Sequence, residues 1–263
     1  MPLTMPLARL RAAAAFAALG VAVSLAGCAS NKNKADTKYV AQDVETLYNF
    51  ARQRLDERRY KDAAELFDEV ERQHPYSVWA RRAQLMSAFS YYAARNYNQA
   101  VLSAQRFLSI HPGNKDASYA YYLIAMSYYE QISDVTRDQK TTQQALDALG
   151  ELSRRYPDTR YATDARLKID LVRDHLAGKE MEIGRFYEKT HQYLAAVIRY
   201  RKVIDDYDTT SHVPEALHRL VECYLELGVP EEARKAAAVL GHNYPGSKWY
   251  ERSYALVSKY TKG

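Results

Sequence analysis

A repeat of about 37 residues constrains the fold of this 263-residue chain more than any other feature. Residues 47–75 supply a template of small, aromatic, apolar and proline positions, namely Ala51, Leu55, Tyr60, Ala63, Phe67, Val70 and Pro75. Moving 37 residues along the chain gives the same kinds of residue at Tyr97, Ala100, Ala104, Phe107 and Pro112. Self-similarity at a fixed period predicts stacked units that bury one another's apolar faces.

Three further copies of the template follow with less regular spacing. The third carries a polar insertion at residues 133–142, and the fourth lacks the final proline. Their matching residues are Ala125, Ala145, Leu149, Leu152 and Pro157, then Tyr193, Ala196, Tyr200 and Val203, then Pro230, Ala233, Ala237, Leu240 and Pro245. The chain therefore contains about five copies.

The spacing inside each copy predicts a pair of helices. Apolar residues at i, i+4 and i+7 lie on one face of an α-helix, and proline ends the second helix because it cannot continue the hydrogen-bond ladder. No alternating β-branched run predicts a strand. We therefore expect an all-α tetratricopeptide-repeat solenoid of about five helix pairs, with a C-terminal capping helix over residues 248–260.

Residues 161–190 break the repeat and predict one long helix or two abutting ones. This segment would connect the first three repeats to the last two. Its large apolar residues have a spacing that predicts burial, and they are Leu167, Leu171, Ile183 and Phe186.

The N-terminus predicts export and lipidation. Arg9 and Arg11 precede an uncharged run of 14 residues, 12–25, which is shorter than the about 20 needed to span a membrane. The sequence Leu-Ala-Gly-Cys ending at Cys28 then resembles a bacterial lipobox. We interpret 1–27 as a signal peptide and 28–40 as the lipidated cysteine and a flexible tether; the alternative is an ordinary signal peptide that happens to contain a cysteine.

Charge and motifs argue against nucleic-acid binding and catalysis. The 37 basic and 32 acidic residues give +5, which falls to +3 when Arg9 and Arg11 are removed, and no run of five basic residues occurs. Because Cys28 would be lipidated, Cys223 is the one cysteine left. It lies on a predicted apolar helix face, which predicts a buried, inert thiol. The sequence has no HExxH, GxSxG or glycine-rich phosphate loop. We expect a non-enzymatic binding protein with no metal or other cofactor.

The order of these features resembles the BamD (ComL) family, lipoproteins of the outer-membrane β-barrel assembly (BAM) complex. Besides the lipobox and the repeats, the resemblance rests on residues 136–139, 155–165, Ala195-Ala196 with Arg199, and 241–245 with Ser247 and Trp249. It implies a scaffold on the periplasmic face of the outer membrane, held by N-palmitoyl and S-diacylglycerol groups on Cys28. The residue after Cys28 is not aspartate, which by the family's sorting rule favours the outer membrane.

The resemblance also implies two working surfaces. Repeats 1–3, in residues 41–157, would bind the C-terminal targeting segments of unfolded outer-membrane proteins. The residues implied there are Lys61, His74, Tyr76, Ser77 and Trp79. Lys61 and His74 depart from the arginine and tyrosine of the family pattern, and a lysine offers a point charge in place of a bidentate fork.

Repeats 4–5 and the capping helix, in residues 158–263, would dock on a periplasmic POTRA domain of BamA through Arg199, beside the other BAM lipoproteins. The residues alone fit equally well a solvated arginine on an exposed helix face. Two other classes of envelope repeat protein stay open as alternatives, a pilotin-like lipoprotein and a Tol-Pal-associated one.

Overall fold

The computed structural model describes residues 43–260, and these residues form eleven α-helices and no strand. The predicted signal peptide, Cys28 and the tether lie outside the described residues. The helices are α1 (Val44–Asp56), α2 (Tyr60–Gln73), α3 (Val78–Ala93), α4 (Tyr97–Ile110), α5 (Ala117–Tyr129), α6 (Lys140–Arg155), α7 (Arg160–Lys189), α8 (Tyr193–Asp206), α9 (Val213–Glu226), α10 (Pro230–Asn243) and α11 (Lys248–Tyr260).

These helices pack as consecutive pairs, α1 with α2 through α9 with α10, and α11 packs on both helices of the last pair. The first helices of neighbouring pairs also touch, since α1 contacts α3, α3 contacts α5 and α5 contacts α7. This arrangement confirms the predicted all-α solenoid of five helix pairs with a capping helix.

The small and apolar positions of the repeat template form the core. Seventeen of them, drawn from all five pairs, are no more than 9% exposed: Ala51, Ala63, Phe67, Val70, Ala100, Ala104, Phe107, Ala125, Ala145, Leu149, Leu152, Ala196, Tyr200, Val203, Ala233, Ala237 and Leu240. Alanine at the points of closest approach lets the two helices of a pair lie near each other. The repeat is therefore a packing pattern, and each buried large side chain contributes about 1.5–3 kcal/mol.

Four of the five pairs turn from first to second helix through a residue with positive φ. These residues are Arg58, Arg95, His191 and Gly228, with φ between 58° and 73°. The next N–H then reaches back five residues, as Asn96 N does to Tyr91 O at 2.9 Å. This is the Schellman C-cap, which satisfies the last carbonyls of the first helix.

Glycine exchanges at these turns should have opposite effects on stability. We expect Arg95→Gly to raise the free energy of unfolding by up to about 1 kcal/mol, because a left-handed conformation costs a residue with a Cβ roughly 1–2 kcal/mol and glycine loses more chain entropy on folding. We expect Gly228→Ala to lower it by about 1 kcal/mol for the same reason. Urea denaturation of both variants tests this pair, and effects of equal sign would contradict it.

The second helices of all five pairs end in a ring residue that closes a turn. The backbone carbonyl of each of these residues accepts a hydrogen bond from the backbone N–H three residues later in the chain. The residues are His74, His111, Tyr156, Tyr207 and Tyr244. Four of them precede proline. Ser77 and Thr159 then cap the next helices, their hydroxyl oxygens accepting from Ala80 N and Ala162 N.

The polar insertion of the third repeat is the connection 130–139, because α6 begins at Lys140 and Thr142 is already buried. Asp134 accepts hydrogen bonds from Thr136, and Gln139 Nε2 donates to three carbonyls of the same segment. Lys179 of α7 donates to Thr136 O at 2.9 Å. The insertion is thereby held against α7.

The segment predicted as one or two helices is the single helix α7, which packs on α5, α6 and α8 and so connects repeats 1–3 with repeats 4–5. The prediction of its buried face was wrong at three positions, since Leu167, Leu171 and Phe186 are 59–66% exposed, while Ile183 is half-buried. The buried face consists instead mainly of small residues with a few larger ones, Ala162, Ala165, Val172, Leu176, Ala177, Gly178, Met181 and Gly184.

Candidate functional site

Neither a metal-binding cluster nor an accessible thiol occurs in the described residues. Within residues 43–260, no group of three or more His, Cys, Asp or Glu side chains could hold a metal ion, and no helix is long and apolar enough to cross a membrane. Cys223 is fully buried, and burial raises the pKa of its thiol to about 12. The prediction of a buried thiol is confirmed, and the candidate sites are surfaces and clefts.

The predicted client-binding turn lies between α2 and α3. Tyr76 is completely exposed at its tip. The Ser77 hydroxyl caps α3, and the Trp79 ring packs 4.8 Å from the ring of Tyr48 with the Arg82 guanidinium 5.6 Å above it. Of the residues implied by the resemblance, Tyr76 is therefore available to a ligand, whereas Ser77 and Trp79 have structural contacts.

A cleft of about 400 Å³ opens beside this turn, and we name it the turn cleft. Its walls are Glu71, Pro75, Tyr76, Ser77, Val78, Arg81, Gln84, Ile110 and His111. Val78 and Ile110 are more than half exposed, so the cleft offers apolar as well as polar surface. His74 and Trp79 do not line it.

Lys61 lies apart from this turn. It is exposed in the first turn of α2, whereas His74 ends the same helix thirteen residues later. At 1.5 Å per residue, the two ends are about 20 Å apart. An extended ligand would need about six residues to reach from Tyr76 to Lys61, so the structure does not gather the five implied residues into one pocket.

A second cleft, which the sequence did not predict, lies next to the first and shares Arg81 with it. This inner cleft has a volume of about 530 Å³ and is lined by Tyr48, Arg81, Arg82, Leu85, Met86, Phe107, Asn114, Lys115 and Asp116. A sequence signal for it exists. Arg81 and Arg82 lie close to the N-terminus of α3, whose first turn has no acidic residue, and that end of a helix disfavours positive charge.

Arg199 of α8 has an intramolecular partner. Its guanidinium lies 3.1 Å from one oxygen of the buried Glu180 carboxylate in α7, and Lys202 Nζ lies 2.7 Å from the other. The Arg199 side chain is 36% exposed. It is therefore neither freely solvated nor buried. Leu194 and Ile198 of the same helix are more than 60% exposed.

The C-terminal half has a cleft of its own between α7, α8, α9 and α11. It has a volume of about 480 Å³, and Arg219 in its wall lies 2.8 Å from Glu222, 3.5 Å from Glu215 and 3.6 Å from Glu188. These carboxylates raise the pKa of Arg219 against the effect of burial. The charges of this cleft are thus largely balanced within the chain.

Known proteins resemble this chain over nearly its whole length. A family model described as "YfiO: Outer membrane lipoprotein" matches residues 40–240. The outer membrane protein assembly factor BamD of Caulobacter vibrioides is 52% identical, covering 94% of this chain and 81% of that protein. BamD of Rickettsia prowazekii is 48% identical, covering 93% and 96%, and BamD of Neisseria meningitidis serogroup A is 31% identical, covering 90% and 93%.

Solved tetratricopeptide-repeat structures align less closely. A thermophilic repeat protein of Thermus thermophilus gives a TM-score of 0.38 at 20% identity, covering 82% of this chain and 98% of that one. The repeat domain of P58(IPK) gives 0.43 at 16% identity, covering 83% and 57%. Scores below 0.5 do not establish a shared fold, so the fold assignment rests on the helix pairs described above. Sequence identity to BamD proteins over more than nine-tenths of the chain establishes the family relationship. The chain belongs to the BamD family of outer membrane lipoproteins.

Proposed function

We propose that this chain is a non-catalytic, lipid-anchored scaffold that assembles proteins of the outer membrane. The observation that carries this proposal is the 52% and 48% identity to BamD assembly factors over more than nine-tenths of the chain. A solenoid supports it physically, because stacked helix pairs present an extended surface on which partner segments bind. The anchor would be Cys28, through its N-palmitoyl and S-diacylglycerol groups, at the periplasmic face of the outer membrane.

The N-terminal repeats would receive the C-terminal targeting segments of unfolded outer-membrane proteins. The exposed Tyr76 and the turn cleft beside it offer aromatic and apolar contacts. Lys61 and His74 would belong to a longer contact along α2, since a segment reaching both must follow the whole helix. Ser77 and Trp79 would act by fixing the turn.

The C-terminal repeats would dock on a POTRA domain of BamA through Arg199, with other BAM lipoproteins in the same complex. A partner carboxylate would compete with Glu180 for the Arg199 guanidinium, which is 36% exposed. The exposed Leu194 and Ile198 on the same helix would supply apolar contact beside the ion pair.

We expect Arg199→Glu to abolish capture of BamA in a mild-detergent pull-down of the tagged, lipidated chain. Removing one partner of a desolvated interface ion pair costs about 2–5 kcal/mol, which is roughly 30-fold or more in affinity. Lys202→Glu is the matched control, because it too places a carboxylate beside Glu180 but lacks the docking role. Thermal unfolding followed by circular dichroism would record how much each variant destabilises the fold.

Equal loss of capture in the two variants would show that Arg199 acts through the fold, and would contradict its docking role. Recovery by wild type of a secretin, pilus or Tol-Pal component in place of a POTRA-bearing barrel protein would contradict the assembly function itself. Both alternatives would leave the repeat fold unchanged.

A further inference from the structure

Four exposed arginines surround the turn between α6 and α7, and we name this group the arginine turn. Neither the client-binding surface nor the surface around Arg199 includes any of them. Three of them belong to residues 155–165, on which the family resemblance partly rests. They are Arg154 and Arg155 at the end of α6, Arg160 at the start of α7 and Arg166 in the second turn of α7.

Hydrogen bonds fix the backbone of this turn. The Thr159 hydroxyl donates to Tyr156 O at 2.9 Å and accepts from Ala162 N at 3.2 Å. The Arg166 guanidinium donates to Pro157 O at 2.6 Å. The segment that carries the arginines is therefore ordered without a ligand, which lowers the entropy cost of binding one.

The charge of the arginine turn is mostly unpaired. Arg155 lies 2.6 Å from Glu151, whereas the other three arginines form no ion pair with any acidic residue among residues 43–260. Asp158 is exposed in the turn itself and pairs with none of the four. Four guanidinium groups beside these two carboxylates leave an excess of positive charge, which is complementary to an acidic ligand.

Arg160 occupies a position where the helix itself disfavours a positive charge. It is the first residue of α7, and the first turn of that helix contains no acidic residue. Its guanidinium lies 4.9 Å from the centre of the Tyr161 ring and donates to the Tyr161 hydroxyl at 3.0 Å. These contacts orient the guanidinium without neutralising it. Local structure therefore does not account for an arginine here, and such a conflict is expected at a functional position.

Tyrosine rings lie beside two of the arginines. The Arg155 guanidinium is 5.4 Å from the ring of Tyr121. The ring of Tyr161, next to Arg160, is half-buried and packs 5.4 Å from Tyr119 and 5.0 Å from Tyr122. Arginine and tyrosine are the residue types enriched at the energetic centres of protein interfaces. The arginine turn thus has the composition of a protein-binding surface.

The charge pattern favours a polypeptide over a membrane surface. A guanidinium binds a carboxylate through two parallel hydrogen bonds. An anionic membrane presents negative charge continuously, and it would meet Asp158 together with the arginines. A polypeptide can place its carboxylates beside the arginines and leave Asp158 in water.

We propose that the arginine turn binds an acidic segment of a partner protein. The segment carries at least two carboxylates, which pair with Arg154 and Arg160 on the two sides of the turn. Its neighbouring apolar side chains contact the rings of Tyr121 and Tyr161. This contact is a third binding surface and goes beyond the proposed function.

Site-specific photo-crosslinking in the native envelope tests this surface. Thr163 is exposed one turn after Arg160, and it is replaced with p-benzoylphenylalanine in the tagged, full-length lipidated chain. Mass spectrometry of the adduct identifies the segment that is crosslinked. We expect a protein segment with at least two aspartates or glutamates close to the crosslinked residue.

Charge reversal separates binding from folding. Arg160→Glu should reduce the adduct yield about tenfold or more without lowering Tm, because an acidic residue is favoured at the start of a helix. Arg52→Glu is the matched control, since it makes the same change in charge at an exposed arginine of α1 that also lacks an ion pair. It should leave the yield unchanged. Replacing the acidic residues of the captured segment with lysine should restore the adduct in the Arg160→Glu chain.

Three results would overturn the inference. The first is the absence of a protein adduct, including the case in which only lipid is crosslinked, which would assign the surface to the membrane. The second is a crosslinked segment without acidic residues. The third is an adduct yield that Arg160→Glu and Arg52→Glu change equally, since the turn would then contribute only to the overall charge.

Discussion

Replacing Gly184 with alanine should lower the free energy of unfolding by about 2–3 kcal/mol, the cost of overpacking a filled core. The sign is opposite to what helix propensity alone gives, because alanine is favoured over glycine inside a helix by about 1 kcal/mol. Gly184 lies in the interior of α7, at the contact with α8.

The reason is the ring of Tyr200. A Cβ at Gly184 would overlap that ring, with two further ring atoms only 2.8 Å away. The ring cannot move aside easily, since Tyr200 is fully buried and its hydroxyl donates to Glu188 at 2.6 Å. Burial and this hydrogen bond also raise the pKa of Tyr200 well above its usual range. Glycine is therefore required for the close approach of α7 and α8.

Gly150 provides the matched control. It too lies inside a helix, α6, but a Cβ there would meet nothing within 4 Å. Gly150→Ala should raise the free energy of unfolding by up to about 1 kcal/mol. Urea denaturation of both variants measures the contrast, and Gly184→Ala should cost much less in a Tyr200→Leu background. Equal stabilisation by the two alanines would refute the close approach.

The same contact explains why the sequence predicted the repeats better than it predicted α7. Inside a repeat, the residues that pack are spaced with the helix and recur after about 37 residues, so Ala63, Phe67 and Val70 could be recognised as core. In α7 the packed face is built largely from residues such as Ala177, Gly178 and Gly184. Hydrophobic periodicity gives weight to large side chains, and it therefore selected Leu167 and Leu171, which are exposed.

The binding surfaces were predicted unevenly for a related reason. A family resemblance indicates positions one at a time, so it could mark Tyr76 and Lys61 without showing that a helix length separates them. It could not show that Arg199 already has a partner, because Glu180 precedes it by 19 residues on another helix. Arg81 and Lys115 line one cleft only because α3 packs beside the connection that precedes α5.

Acid should destabilise the contact between α9 and the capping helix α11 through His218. This side chain is 3% exposed, its Nδ1 lies 2.8 Å from Ser253 Oγ of α11, and its ring lies 5.2 Å from the ring of Trp249. Burial lowers the pKa of His218 from 6.5 to about 4. The positive charges of Arg219 and Arg252 act in the same direction, and the nearby carboxylates only partly oppose them.

The sign of the pH dependence follows from this lowered pKa. The folded chain keeps His218 neutral, whereas the unfolded chain protonates it below about pH 6.5, so the unfolded state binds more protons between the two pKa values. The stabilising contribution is fully present above pH 6.5 and is lost as the pH falls towards 4. The lowering corresponds to roughly 3 kcal/mol at most.

We expect the free energy of unfolding of wild type to fall more between pH 7 and pH 4 than that of His218→Gln, which cannot titrate at this position. Urea denaturation at each pH gives the two slopes, and their difference removes the carboxylates that titrate in both proteins. Trp249 fluorescence in a Trp79→Phe background would report the α9–α11 contact directly, because its ring stacks near His218. Parallel pH profiles would mean that Glu222, whose oxygen lies 3.5 Å from Nε2, neutralises the protonated ring well enough to cancel the cost of burying it.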